Sequence, residues 1–142
     1  MSIYFNTPKE PYGEFSNRAA FGIEMDGAWW PTVEHYYQAQ KFDDANYREK
    51  IRCAPNPKSA TLLGRSYSLP VREDWADVKE SIMLRAVKRK FQTHAEPYEL
   101  LMSTGDESIY ENAPHDFDLE HADPNHLGAI LVEVRAALRK RV

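Results

Sequence analysis

Apolar positions change their spacing partway along the chain, dividing it into a short β part and a longer helical part. Residues 2–5, "SIYF", read as a short strand. In "AFGIEMDGAWW" (20–30) apolar residues alternate around Asp26-Gly27, a pair suited to the positive φ angles of a tight hairpin turn. Pro31 follows, and Thr32 is placed to cap a helix. Beyond it the period lengthens to that of helices. Residues 44–53 form an amphipathic segment with Tyr47, Ile51 and Ala54 on one side. In "NPKSATLLGRS", Asn56 serves as a cap and Pro57 takes the first helical position, where its missing N–H costs nothing.

The longest helix is expected from about Asp74, its cap, to Phe91, with Trp75, Val78, Ile82 and Ala86 on one stripe. "EPYELLMS" is a short helix stopped by Gly105. The last helix, 125–140, carries Leu127, Ile130, Leu131, Val134 and Leu138 at helical spacing, and basic residues at its C-terminus suit the helix dipole. A further short strand is expected near Ser108–Glu111. The pattern therefore predicts a mainly α fold, multihelical and compact, with a small N-terminal β-hairpin. With no internal repeat, low-complexity tract or linker, residues 1–142 read as a single domain.

Composition narrows the classes. A hydrophobic fraction of 42% with 12% aromatic residues indicates a packed core rather than a disordered chain. No apolar run approaches the roughly 18 residues of a membrane span, and the start lacks the pattern of a signal peptide. A cytoplasmic location and no membrane partner are the expectations. The single cysteine, Cys53, excludes an internal disulfide and reads as a small core residue. A net charge of −4 argues against a nucleic-acid coat spread over the whole surface and leaves room for a local basic patch that handles one phosphate. The basic run Lys88-Arg89-Lys90 falls in a helix and reads as a solvated face.

Candidate chemistry concentrates in "WPTVEHYYQAQKF" (30–42). At about 100° per residue, Glu34, Tyr37, Gln38 and Lys41 share one arc of the helix. Helical geometry alone favours an ordinary surface face, with Glu34 complementing the helix dipole and Lys41 lying over Tyr37. Their company argues otherwise. Trp30, Tyr36, Tyr37 and Phe42 promise a low-dielectric setting, in which an idle carboxylate and ammonium are expensive.

This stretch resembles the core signature of the NADAR (YbiA-like) family. The resemblance extends through "YGEFSN" (12–17), "DGAWWPTVEHYYQAQKF" (26–42), "LGRS" (63–66), "REDWADVKESIM" (72–83), "AVKRKF" (86–91), "TGD" (104–106) and "NHLGAILVEVR" (125–135). It implies a mainly helical fold and an N-glycosidase; no cofactor or metal is expected, and a metal-dependent hydrolase using the His/Asp loop is the third reading. Some family members cleave ribose from an aminopyrimidine intermediate of riboflavin synthesis. Others remove ADP-ribose from guanine, some as antitoxins of a cognate ADP-ribosyltransferase toxin. The expected partner is thus a ribose-linked small molecule or an ADP-ribosylated nucleic acid, with de-ADP-ribosylation of guanine placed first. A non-catalytic ADP-ribose-binding module is the rival from another class.

Under that resemblance Glu34 is the general acid/base, and Lys41 is a nucleophile or an electrostatic partner. Ser16 and Asn17 would donate hydrogen bonds to sugar or phosphate oxygens. Arg18, where relatives usually carry an aromatic residue, would reach a phosphate, as would Arg65 and Arg72. Trp75 would stack on a base. Trp30, Tyr37, Gln38, Asp106 and Asn125 complete the expected substrate-binding set. The chain departs from the family between Glu111 and Asn125, where many members carry Tyr-Trp-Gly and a glycine-rich loop. Here the sequence is "NAPHDFDLEHADPNHLG", whose His115, Asp116, Asp118, Glu120, His121, Asp123 and His126 match no tight metal motif and read as a solvated acidic loop.

Overall fold

The computed structural model describes residues 1–66, 68–112 and 126–140. The chain begins with β1 (Ser2–Phe5), followed by a single 3-10 turn at Gly13–Phe15 and the hairpin β2 (Ile23–Met25) and β3 (Ala28–Trp30). Among the described residues six helices follow: α1 (Val33–Ala39), α2 (Ala45–Arg52), α3 (Pro57–Gly64), α4 (Trp75–Thr93), α5 (Ala95–Ser103) and α6 (His126–Arg139), with β4 (Ser108–Glu111) between the last two. The mainly α class and the β-hairpin expected from the sequence are both present.

Local signals explain the element starts. Asp26 and Gly27 adopt φ of 55° and 80°, and the two-residue loop pairs Met25 with Ala28 in an antiparallel ladder. Thr32 accepts a hydrogen bond from the His35 backbone N–H, Asp44 from Tyr47, and Asn56 from Ser59, so α1, α2 and α3 are each capped by a side chain. Asp74 makes no such cap; its carboxylate pairs with Arg72 instead. Gly105, at φ 61°, ends α5 in the left-handed conformation that glycine tolerates.

α1 is the centre of the molecule. It packs against α2, α3 and α4, and all seven of its residues are buried. Its apolar side joins a core with Phe5, Phe15, Phe42, Phe91 and Leu131. Tyr36 bonds Asp26 of the hairpin turn at 2.8 Å, and burial together with that carboxylate pushes its phenol up to about 12. His35 lies between the Thr32 hydroxyl (2.8 Å) and the Ala54 carbonyl (3.1 Å). Burial lowers its pKa, and the carbonyl requires the proton on Nε2, so His35 is a neutral strut.

One pairing has no local signal in the sequence. β1 and β4 run parallel, matching Ser2 with Ser108 and Phe5 with Glu111, although the helical body separates them in the chain. Within β4, Ile109 is buried and Tyr110 exposed, so the two-residue period turns Glu111 inward with Ile109.

Two expectations are corrected. Cys53 is exposed beside Glu49 rather than in the core, because it falls one position past the end of α2. Lys90 is not on a solvated face: it is 2% exposed, and its ammonium donates to the Ser16 carbonyl at 2.9 Å. The Phe21 and Phe91 rings lie 5.8 and 5.4 Å from that nitrogen. Position 90 continues the buried stripe of Met83, Ala86 and Val87, so helical phase overrides the basic composition of the run.

Candidate active site

Glu34 is entirely buried, and its two carboxylate oxygens differ. Oε2 accepts hydrogen bonds from Gln38 Nε2 (2.8 Å) and from the Thr61 hydroxyl (2.6 Å). Oε1 is buried and has no hydrogen-bond partner among the described residues. The Glu34 backbone N–H donates to the Asn17 carbonyl at 3.1 Å, locking the 16–18 loop to the first turn of α1. Gln38 fits against α3 because position 64 is glycine: an added β-carbon would stand 2.0 Å from Gln38 Oε1.

Arg18 donates to the same Thr61 hydroxyl at 3.1 Å, extending the cluster to the loop. From β4, Glu111 feels the charges of this cluster. Burial, with the negative charge of Glu34 next, pushes its carboxyl up to about 7, while the Arg18 charge pulls the other way. Three buried acceptor oxygens, on Asn17, Glu34 and Gln38, lack partners among the described residues. The Gln38 amide is oriented by its bond to the carboxylate, so its free atom is the carbonyl oxygen. The cluster is rich in acceptors and suits a ligand that brings donors.

The expected residues are distributed unevenly. Asn17, Arg18, Glu34 and Gln38 come together. Ser16 is buried at their side, its hydroxyl accepting from the Arg18 backbone N–H and its carbonyl held by Lys90. Tyr37 and Trp75 pack ring to ring at 5.1 Å, and Lys41, 9% exposed, follows one turn on from Gln38. The Lys41 carbonyl accepts from Arg72 N–H at 2.7 Å. The Arg72 guanidinium is engaged twice by Asp74, at 2.6 and 3.0 Å. It borders an open groove of about 800 Å³ with Phe42, Asp43 and Leu69.

Other expected residues are not gathered. Trp30 is a core residue whose indole donates to the Met25 carbonyl, and Arg65 is exposed at the end of α3. Asp106 is exposed and pairs with Arg139 at 2.8 Å. Asn125 and the acidic positions 115–123 lie outside the described residues, whereas His126 stands 3.5 Å from Glu80. Among the described residues no group of three His, Cys, Asp or Glu side chains is poised for a metal. No helix there is long and apolar enough to cross a membrane.

Sequence reasoning missed Thr61 and Glu111. Thr61 interrupts the apolar run of "ATLLG" three residues before Gly64, on the face that meets α1. Glu111 shares strand phase with Ile109, a signal that needs the strand's buried face to be known.

The mainly helical fold is that of a known family. The NADAR domain matches residues 4–139, and the chain belongs to that family. N-glycosidase YbiA of Escherichia coli is 44% identical over 140 residues, covering 96% of this chain and 88% of that protein. N-glycosidase Npun_R5314 of Nostoc punctiforme is 45% identical over 146 residues, covering 98% and 94%. The riboflavin biosynthesis protein VVA0006 of Vibrio vulnificus is 37% identical across 97% of this chain, which spans 39% of that longer protein. The NMR structure of E. coli YbiA superposes with a TM-score of 0.86 at 40% identity, over 99% of this chain and 88% of that one.

Proposed function

We propose that the protein is an N-glycoside hydrolase that cleaves the C–N bond between ribose and an amine. The observation that carries this reading is the buried Glu34 carboxylate, one oxygen fixed by Gln38 and Thr61 and the other unpartnered among the described residues. Departure of the amine builds oxocarbenium-like charge at the anomeric carbon, and a fixed anion in a dry site stabilises that charge. Ribose hydroxyls supply donors for the waiting Asn17 and Gln38 oxygens. Membership of the NADAR family and the names of the relatives support the same reaction class.

Within that class the proposed substrate is guanine carrying ADP-ribose on its amino group. Arg18, which donates to the Thr61 hydroxyl, offers the cluster a cation for phosphate. Lys41 then acts on the sugar, as a nucleophile that forms an imine with the opened ribose or as a cation beside it. The name of the Vibrio relative favours a second substrate, a phosphoribosyl aminopyrimidine intermediate of riboflavin synthesis.

The test is to incubate the protein with an ADP-ribosylated guanine oligonucleotide and, separately, with the aminopyrimidine intermediate, following free ribose species by chromatography. Release from the first, lost in Glu34→Gln, is the expected result. Release from the second alone exchanges the substrate and keeps the class. Tight binding of ADP-ribose with no release from either replaces the enzyme by a binding module.

A further inference from the structure

Lys90 is an unfavourable residue for a core position. Its amine lies in the interior with the Phe21 and Phe91 rings 5.8 and 5.4 Å away. Burial pulls its pKa down to about 7, while the Glu14 charge works the other way. A methionine or leucine would continue the stripe of Met83, Ala86 and Val87 without that cost. Among the described residues the amine has one hydrogen-bond acceptor, the Ser16 carbonyl at 2.9 Å. That carbonyl already receives the Ala19 backbone N–H at 3.1 Å, so its own requirement is met without a lysine.

What Lys90 adds is a fixed location. The bond from Ala19 to Ser16 closes a β-turn whose two central residues are Asn17 and Arg18. Both lead to Glu34. The Asn17 carbonyl accepts the Glu34 backbone N–H at 3.1 Å. Arg18 donates to the Thr61 hydroxyl at 3.1 Å, and that hydroxyl donates to Glu34 Oε2 at 2.6 Å. We propose that Lys90 is a positioning residue of the hydrolase, pinning this turn to α4 so that Asn17 and Arg18 hold Glu34 in its working geometry. The inference rests on the N-glycosidase reading above.

The other ties of the turn leave this task to Lys90. The Ser16 hydroxyl accepts from the Arg18 backbone N–H at 3.1 Å, a bond internal to the turn. The Asn17 amide donates to the Met83 sulfur at 3.2 Å, two helical turns before Lys90 on α4, and a thioether is a weak acceptor. The amine of Lys90 is thus the strong donor between helix and turn. Its loss loosens the backbone support of Glu34 from Asn17 and the side-chain support through Arg18 and Thr61 together. The bond from Gln38, made within α1, remains.

The experiment compares wild type with Lys90→Met on the ADP-ribosylated guanine oligonucleotide, or on the aminopyrimidine intermediate if wild type cleaves only that. The variant should lose about 10–10²-fold in kcat/KM, the scale on which a displaced catalytic group loses rate. Its urea midpoint at pH 6 should nevertheless rise, because a buried charge has gone. Activity and stability therefore move in opposite directions, which a merely structural lysine would not produce.

Hydrogen exchange reads the turn directly. The Glu34 amide, held by the Asn17 carbonyl, should exchange about tenfold faster or more in Lys90→Met. The Gln40 amide, held by the Tyr36 carbonyl at 3.1 Å at the far end of α1, should exchange as in wild type.

A rescue supplies the second variant. In Lys90→Cys, with the exposed Cys53 changed by Cys53→Ser, alkylation in denaturant and refolding installs an S-aminoethyl or an S-propyl side chain. The two are equal in length and differ in the terminal amine. The aminoethyl protein should recover most of the activity, and the propyl protein should behave as Lys90→Met. Faster exchange at Gln40 as well as Glu34, a lowered urea midpoint, or a propyl protein as active as the aminoethyl one each overturns the proposal. If wild type cleaves neither substrate, the glycosidase reading falls and this inference with it. An active wild type beside an unimpaired Lys90→Met removes the role of Lys90 alone.

Discussion

Gln38 lies against Gly64 so closely that a β-carbon at position 64 would stand 2.0 Å from Gln38 Oε1 and 2.9 Å from Gln38 Cβ. Contacts below 3 Å to the root of a side chain cannot be relieved by turning its tip. Gly64→Ala must move α3 away from α1 or swing Gln38 off the Glu34 carboxylate. Overpacking of this kind costs about 1–3 kcal/mol, measurable by urea denaturation. Turnover should fall as well, because the donor that fixes Glu34 moves with Gln38.

Thr61 holds Glu34 with its hydroxyl proton and receives Arg18 on its oxygen, so one hydroxyl ties two elements to the carboxylate. Thr61→Val keeps the shape and removes both bonds. The expected effect is about tenfold in kcat/KM, equivalent to roughly 1.4 kcal/mol and within the range for a buried hydrogen bond. A wild-type rate from a folded Thr61→Val protein would show that Glu34 needs no support from α3.

Lys41→Arg keeps the positive charge but cannot form an imine. Activity should drop about 10²-fold or more. Sodium borohydride added during turnover of wild type should leave a reduced sugar adduct on Lys41, detected by mass spectrometry. Retained activity in the arginine variant, with no adduct on wild type, would assign Lys41 the role of a cation.

Burial lowers the Lys90 pKa from 10.5 to about 7. Between those values the unfolded chain binds the proton that the folded chain releases, so stability rises with pH across this window, by about 1.4 kcal/mol per unit. Below pH 7 the cost is fully present and constant. Lys90→Met, which fills the same space without charge, should lack the slope. Its stability relative to wild type should be highest below pH 7 and decline steadily towards pH 10. Parallel stability curves for the two proteins would show that Lys90 keeps its proton when buried.

Much of the fold was legible because its signals are local. Asp26-Gly27 specifies its turn, Thr32 and Asn56 their caps, and Gly105 a helix end, each within a few residues. The helical arc of Glu34, Tyr37, Gln38 and Lys41 was legible for the same reason. What faces that arc was not, since a period fixes which residues share a side and says nothing about what packs there. Lys90 and Cys53 mark the same boundary, one basic residue drawn into the core by phase and one apolar residue left outside by the end of α2. Thr61 and Glu111 depend on α3 and β4 meeting elements remote in sequence, which no local pattern encodes.

The parallel register of Phe5 with Glu111 also has a consequence in time. α1 and α3 are near neighbours in the chain, so Glu34, Gln38 and Thr61 can find each other through short loop closures. The strand bearing Glu111 must wait for β1, with α1 to α5 between them in the chain, and such distant pairings form slowly. During refolding from denaturant, helical circular dichroism should therefore return before hydrolysis does. Closure of the β1–β4 pair marks the moment the N-terminal strand joins the helical body.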